Sequence, residues 1–307
     1  MPALGTAPGV PQLSGKTIPE IWSTNLLVKF YEATVFNAIA NSDWEGDIQA
    51  MGDTVHIQTT PDITINDYVK GQELDYENPD PGQVDLFIDK AKSWSFVVNN
   101  VDKFQSNFDI QDDWARDGSE SMKIAIDTDI LANVYADVAA ANTGATAGKI
   151  SQDIDLGAVG APIALSKTNI IDEITKWGQI LDEQDVPEGD RWAVIPAWAA
   201  QRIKTSDLRE VQISGDETSI VRNGRLGMID KFTIYSSNLI DTATDGADKV
   251  YNMIFGHKSA LTFASSLVEH DTIANPKGFG VLNRGLPVYG YKTVKDTAMG
   301  HVYAKQA

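Results

Sequence analysis

The segment that decides the architecture runs from Asp53-Thr-Val-His-Ile-Gln58, through Pro61-Asp-Ile-Thr-Ile-Asn-Asp-Tyr-Val-Lys70 and Gly71-Gln-Glu-Leu-Asp-Tyr-Glu-Asn-Pro-Asp80, to Gln83-Val-Asp-Leu-Phe-Ile88. Its opening alternates: Thr54, His56 and Gln58 fall on one face of a strand, Val55 and Ile57 on the other. Residues 83–88 and 94–98 are again rich in strand formers. Between the strands the character changes. Residues 62–89 hold eight acids (Asp62, Asp67, Glu73, Asp75, Glu77, Asp80, Asp85 and Asp89) against Lys70 alone, a net −7. Asn78-Pro-Asp-Pro-Gly82 punctuates the far side. A charged loop this long is uncommon inside a compact domain and is usually functional or disordered. A two-stranded ribbon alone is marginal in water. The loop therefore needs outside support, and a second copy of the chain is a natural source.

On the N-terminal side, residues 1–19 read as a loose arm. Pro2, Pro8, Pro11 and Pro19 break helices, and Gly5, Gly9 and Gly15 loosen the backbone. Residues 19–40 read as a helix opened by Pro19, with Ile21, Val28, Val35 and Ile39 recurring at helical spacing.

On the C-terminal side, residues 109–142 are the longest helical candidate, with a predicted span of roughly 50 Å at ~1.5 Å per residue. Ile126, Ile130, Val134 and Val138 form its apolar face, and Asp109, Asp112, Asp113, Asp117, Glu120, Asp127, Asp129 and Asp137 its acidic side. A flexible stretch is expected at 143–162. Helix and strand then alternate: an amphipathic helix at 166–181, a buried strand at Arg191-Trp-Ala-Val-Ile195, and a short helix opened by Pro196. Further strands are expected at 231–236, 249–255, 287–291 and 301–303. No internal repeat is present. The chain reads as α+β, with its long elements segregated from its sheet.

The 307 residues are 42% apolar, enough for a sizeable core. The net charge of −18 disfavours binding to bare nucleic acid. No apolar run is long enough for a membrane helix, and no secretory leader is expected in residues 1–20. Without cysteine there are no disulfides and no thiolate chemistry. His56, His257, His270 and His301 are scattered without metal spacing.

Gly144-Ala-Thr-Ala-Gly148-Lys149 is one residue short of a phosphate loop, and Ile150 stands where a hydroxyl belongs. The glycines at 278, 280 and 285 miss the dinucleotide spacing. Residues 241–252 have calcium-loop flavour but put Ala243 and Asn252 at ligand positions, so a solvated turn is expected. No catalytic, cofactor-binding or metal-ligating residue is assigned. The tail, residues 277–307, holds Lys277, Arg284, Lys292, Lys295 and Lys305 against Asp296 alone. Docking of the acidic loop, through Asp67, Glu73, Asp75 and Glu77, on Arg284, Lys292 and Lys295 of a neighbouring copy is one way the loop could be held.

Gly52-Asp-Thr-Val-His-Ile57, after a helix beginning near Pro19, resembles the entry to the extended loop of tailed-bacteriophage major capsid proteins of the Hong Kong-97 type. Arg191-Trp-Ala-Val-Ile-Pro196 resembles the central strand and helix of their axial domain. Gly224-Arg-Leu-Gly227 with Phe232-Thr-Ile-Tyr-Ser-Ser237 resembles that domain's later stretch. Gly256-His-Lys-Ser-Ala260, Gly290-Tyr-Lys-Thr-Val294 and His301-Val-Tyr-Ala304 resemble the return to the peripheral domain.

The resemblance implies an arm at 1–18, an N-terminal helix region at 19–51 and an extended β-hairpin loop at 52–100. It further implies a peripheral domain with a spine helix at 101–149, a mixed α/β axial domain at 150–265 and return strands at 266–307. The function it implies is a structural, non-enzymatic coat: hexamers and pentamers on an icosahedral head, assembled in the bacterial host cytoplasm around phage DNA without sequence-specific contact. A scaffolding protein, a portal and a decoration protein are the implied partners, with no cofactor and no membrane. An encapsulin-like nanocompartment shell is the alternative on the same fold, although the loose arm argues against it. A soluble enzyme without a recognisable motif is a third reading.

Overall fold

The computed structural model describes residues 34–43, 54–61, 63–74, 76–100, 104, 110–206, 227–276 and 278–307. The arm at 1–18, most of the helix at 19–40, Gly52 and Gly224-Arg-Leu226 lie outside these. In chain order come a helical turn α1 (Phe36–Ile39), then β1 (Thr54–Gln58), β2 (Gln83–Phe87), β3 (Lys90–Ala91), β4 (Trp94–Asn99) and the long helix α2 (Ile110–Asn133). They are followed by β5 (Ile163–Leu165), α3 (Ile170–Glu183), β6 (Arg191–Ile195), α4 (Ala197–Lys204), β7 (Met228–Ile229), β8 (Phe232–Ser236) and β9 (Thr242–Asp245). The chain closes with β10 (Asp248–His257), β11 (Leu261–Ala274), β12 (Gly280–Thr293) and β13 (Met299–Gln306).

Three sheets result. The largest has the order β5-β13-β10-β6-β8-β7, with β9 also on β10; β6 runs parallel to β8, and β13 parallel to β5. All five residues of β6 are buried because the sheet is covered on both faces. Ala193 and Ile195 face one core with Trp177, Ile174 and Phe255. Trp192 and Val194 face a second core with Ile130, Leu131 and Phe263. The Arg191 guanidinium is buried at the strand's start, yet satisfied: it donates to Asp182 Oδ1 (2.7 Å), Pro187 O (2.8 Å) and Gly178 O (3.4 Å). A second sheet joins β11, β12, β3 and β4, and the third is the β1–β2 ribbon.

Four expectations change. The long helix stops at Asn133, so it spans about 36 Å rather than 50 Å. Asn133 Nδ2 donates to Asp129 O (2.7 Å), a side-chain bond that competes with helix propagation, and two 3-10 turns follow. Asp127 is not on a solvated acidic face: it is fully buried. The stretch at 143–162 is folded, not loose. Gly148 and Gly157 have φ of +105° and +80° and turn the chain so that Ala147, Ile154 and Leu156 enter the core with Trp177 and Phe255. Finally, the strand at 301–303, read as a return strand of the peripheral domain, extends over Met299–Gln306 and lies inside the large sheet between β5 and β10. There Val302 and Ala304 complete the apolar core.

The remaining motif-like stretches have structural roles. The backbone N–H groups of Ile150 and Ser151, beside the glycine run, are taken by Glu183 Oε2 (2.8 and 3.1 Å). Residues 241–252 form the β9–β10 hairpin, and Asn252 donates to Asp241 rather than to a cation site (2.7 Å).

Candidate assembly surface

The loop is rooted firmly, and the described residues of its arms are exposed. At its root, β1 pairs antiparallel with β2 from Thr54↔Phe87 to Gln58↔Gln83. Ile57, Leu86 and Ile88 bury against Ala264 and Val288 in a small third core. A Cβ at Gly290 would run into the Phe87 carbonyl, so glycine there lets the ribbon lie close on β12. His56 and Asp85 face each other across the ribbon at 2.7 Å. On the return side, Lys90 Nζ reaches Asp129 Oδ2 (2.9 Å) and the Tyr291 hydroxyl (3.0 Å), while Tyr289 donates to the same Asp129 oxygen (3.0 Å). This network ties the loop's exit to the last turns of α2.

Beyond Gln58 the chain leaves the protein. Thr59 N donates to Gly82 O (2.8 Å), Thr64 N to Glu77 Oε2 (3.1 Å), and Gln72 N to Val69 O (2.9 Å), which makes a narrow hairpin tipped at Lys70 and Gly71. Gly71 takes a φ of +91° at that tip. The twelve residues from Gln58 to Lys70 reach at most roughly 40 Å. Residues 63–74 and 76–83 are all exposed.

The residues on this surface differ from those singled out by charge. Ile63, Ile65, Tyr68, Val69, Leu74 and Tyr76 all stand in solvent, Ile65 90% and Tyr76 87% exposed. The acids alternate with them. Asp67, Glu73 and Glu77 lie on the exposed arms, and the Thr64 hydroxyl and N–H hold Glu77 below the ordinary carboxylate range. Asp75 lies outside the described residues. The loop is thus amphipathic, not simply polar. The signal was present in the Ile63-Thr-Ile65 alternation and in the apolar residues at 68, 69, 74 and 76, but counting charges hid it.

The basic residues do not form one patch. Arg284 pairs with Asp271 across β11–β12 (3.0 Å). Lys292, eight residues further along β12 and so about 27 Å away, sits 3.8 Å from Asp137. It lines an open groove of about 550 Å³ at the loop's own root, together with Asp85, Asp137 and Asp296. Lys295 is exposed in the turn before β13. Exposed ion pairs contribute ~0–1 kcal/mol each, whereas fully burying one large apolar side chain contributes about 1.5–3 kcal/mol. Burial of the apolar side chains would therefore outweigh pairing of the charges.

A large sheet covered on both faces, a long helix, a second sheet and a protruding hairpin belong to a chain that matches known structures along nearly its whole length. A structure of Mycobacterium phage Che8 superposes with a TM-score of 0.74 at 25% identity, covering 94% of this chain and 98% of that one. The capsid structure of the cyanophage P-SCSP1u gives 0.68 at 13% identity, over 95% and 94%. The mature capsid of bacteriophage PhiM1 gives 0.63 at 16% identity, over 94% and 92%. The chain has a phage-capsid fold. No protein-family model matches the sequence, and no curated protein is similar to it. Within this phage-capsid fold, of the Hong Kong-97 type, the described residues of the hairpin at 63–82 are exposed. Among the described residues, no helix is long and apolar enough to cross a membrane.

Proposed function

We propose that this chain is the major structural subunit of a phage-type shell and that it catalyses no reaction. It assembles through hexamers and pentamers into an icosahedral head around double-stranded DNA, formed in the bacterial cytoplasm with a scaffolding protein and a portal. A decoration protein is a further partner on the same reading. The observation that carries the reading is the 61–82 hairpin. It exposes six large apolar side chains on a rigid root, and nothing among the described residues covers them. Soluble monomers rarely leave such a surface open unless it binds something. A copy of the same chain is the partner that a coat requires. Many modest contacts repeated around a ring then hold the shell by avidity.

Electron microscopy of the purified full-length chain, alone and with its scaffold, tests the proposal. Rings or closed shells are expected, and a chain that stays monomeric in both conditions contradicts it. Shells filled with an enzyme instead of DNA would move the reading to a nanocompartment.

A further inference from the structure

We propose that docking of residues 35–41 onto helix α2 is proton-linked through Asp127, which makes the junction between the two larger sheets a pH-sensitive latch. The inference rests on the interior of the subunit and stands apart from the loop and from the shell.

Asp127 lies one helical turn before Ile130 and Leu131, on the same buried face of α2. Its two oxygens accept the backbone N–H groups of Val35 (3.0 Å) and Phe36 (3.2 Å), from a segment some ninety residues away. These are donors at the start of α1, which has no side-chain cap of its own. The segment is stitched down at its other end as well. Asn41 N donates to Leu261 O (2.8 Å), Phe263 N to Asn41 O (2.9 Å), and Thr262 Oγ1 to Asn41 Oδ1 (3.0 Å). Residues 35–41 therefore bridge α2 to the start of β11, where the chain passes from the large sheet to the second one.

Among the described residues, few charges compete for this carboxylate. On α2, Lys123 pairs with Glu120 and Asp129 is held by Lys90 and Tyr289. From α1, β6, β10 and β11 the surrounding core is apolar. The 3-10 turn after α2 and strand β12 bring Tyr135, Tyr289 and Tyr291, all held above their ordinary range by burial and so neutral. Burial pushes the Asp127 carboxyl up to about 6, against the downward pull of the Val35 and Phe36 N–H groups. Undocking returns it to water and to an ordinary value near 3.8. The docked state thus binds the proton more tightly. Docking strengthens as pH falls from neutral through 6 and weakens again as pH rises.

The test is amide hydrogen exchange of the full-length chain at pH 5.0 and 7.5, corrected for the intrinsic exchange rate. Protection of the amides at 35–41 is expected to be about tenfold greater at the lower pH, with no such gain in helix α3. In Asp127→Asn, a neutral isostere, the difference should vanish. Equal protection at both pH values overturns the latch. So does a slope shared with α3, which would report global stability, and so does a slope that survives in Asp127→Asn. The wild-type comparison decides even if the variant folds poorly.

Discussion

Strand β6 and the 61–82 hairpin use the same kinds of side chain to opposite ends. In β6, Trp192, Val194 and Ile195 are buried by helices and strands of their own chain, and even the Arg191 charge is satisfied internally. In the hairpin, Ile65, Val69 and Tyr76 are no less apolar, yet they are exposed. Residue type therefore does not separate the two regions; cover does. The large sheet completes itself within one chain, while the described apolar side chains of the hairpin stand open.

The largest effect that can break this contrast is a change to the hairpin's apolar side chains. Ile65→Ser with Tyr76→Ser should abolish assembly. Two buried apolar groups at about 1.5–3 kcal/mol each correspond to a hundredfold or greater weakening per contact. The thermal midpoint of the isolated subunit should not move, since neither side chain touches the core. Light scattering and calorimetry on the same preparations check both halves. Arg191→Ala should do the reverse. Loss of the buried guanidinium strands the carbonyls of Gly178, Val186 and Pro187 at a cost of roughly 3 kcal/mol in urea unfolding, while Asp182 keeps its pair with Lys231 and the hairpin's exposed surface is untouched.

Acid sharpens the contrast next. Burial holds His301 down at about 4, between Thr143 and Asn252. Its folded value lies below the unfolded one, so stability is full above about 6.5 and is lost as pH falls toward 4, by on the order of 3 kcal/mol. Asp127 works in the opposite sense in the same window. The difference between wild type and His301→Gln in unfolding experiments across that range therefore isolates the histidine. A similar slope in both would remove it from the account.

Lys90→Ala should cost about 1 kcal/mol, because the pair with Asp129 is partly exposed. Its signature should be faster amide exchange at the hairpin root without loss of the large sheet. Charge reversal at Glu73 and Asp67 to lysine comes last, with an effect on assembly of less than about tenfold. A complete block would restore charge pairing as the main adhesive term.

Much of this was legible in the sequence. The alternation at 53–58 placed β1, the run at 191–195 placed a strand buried on both faces, and Pro196 marked the start of α4. Three things were not. The end of the long helix depends on an Asn133 side chain bonding back to Asp129, which apolar periodicity does not register. The place of Met299–Gln306 inside the large sheet depends on pairing with residues some fifty positions earlier, and strand propensity carries no partner. The burial of Asp127 depends on backbone donors from residues 35 and 36, whereas an aspartate on a helix otherwise reads as solvated. The hairpin surface was visible only in part: its length and acidity stood out, while its apolar residues were scattered among the charges.

The central claim is that the hairpin is an open surface awaiting a copy of the chain. Electron microscopy of the wild-type chain beside Ile65→Ser with Tyr76→Ser, each with its scaffold, tests it most directly. The account predicts shells from the wild type and dispersed, folded subunits from the variant. Normal shells from the variant, or folded wild-type subunits that never associate, would contradict it.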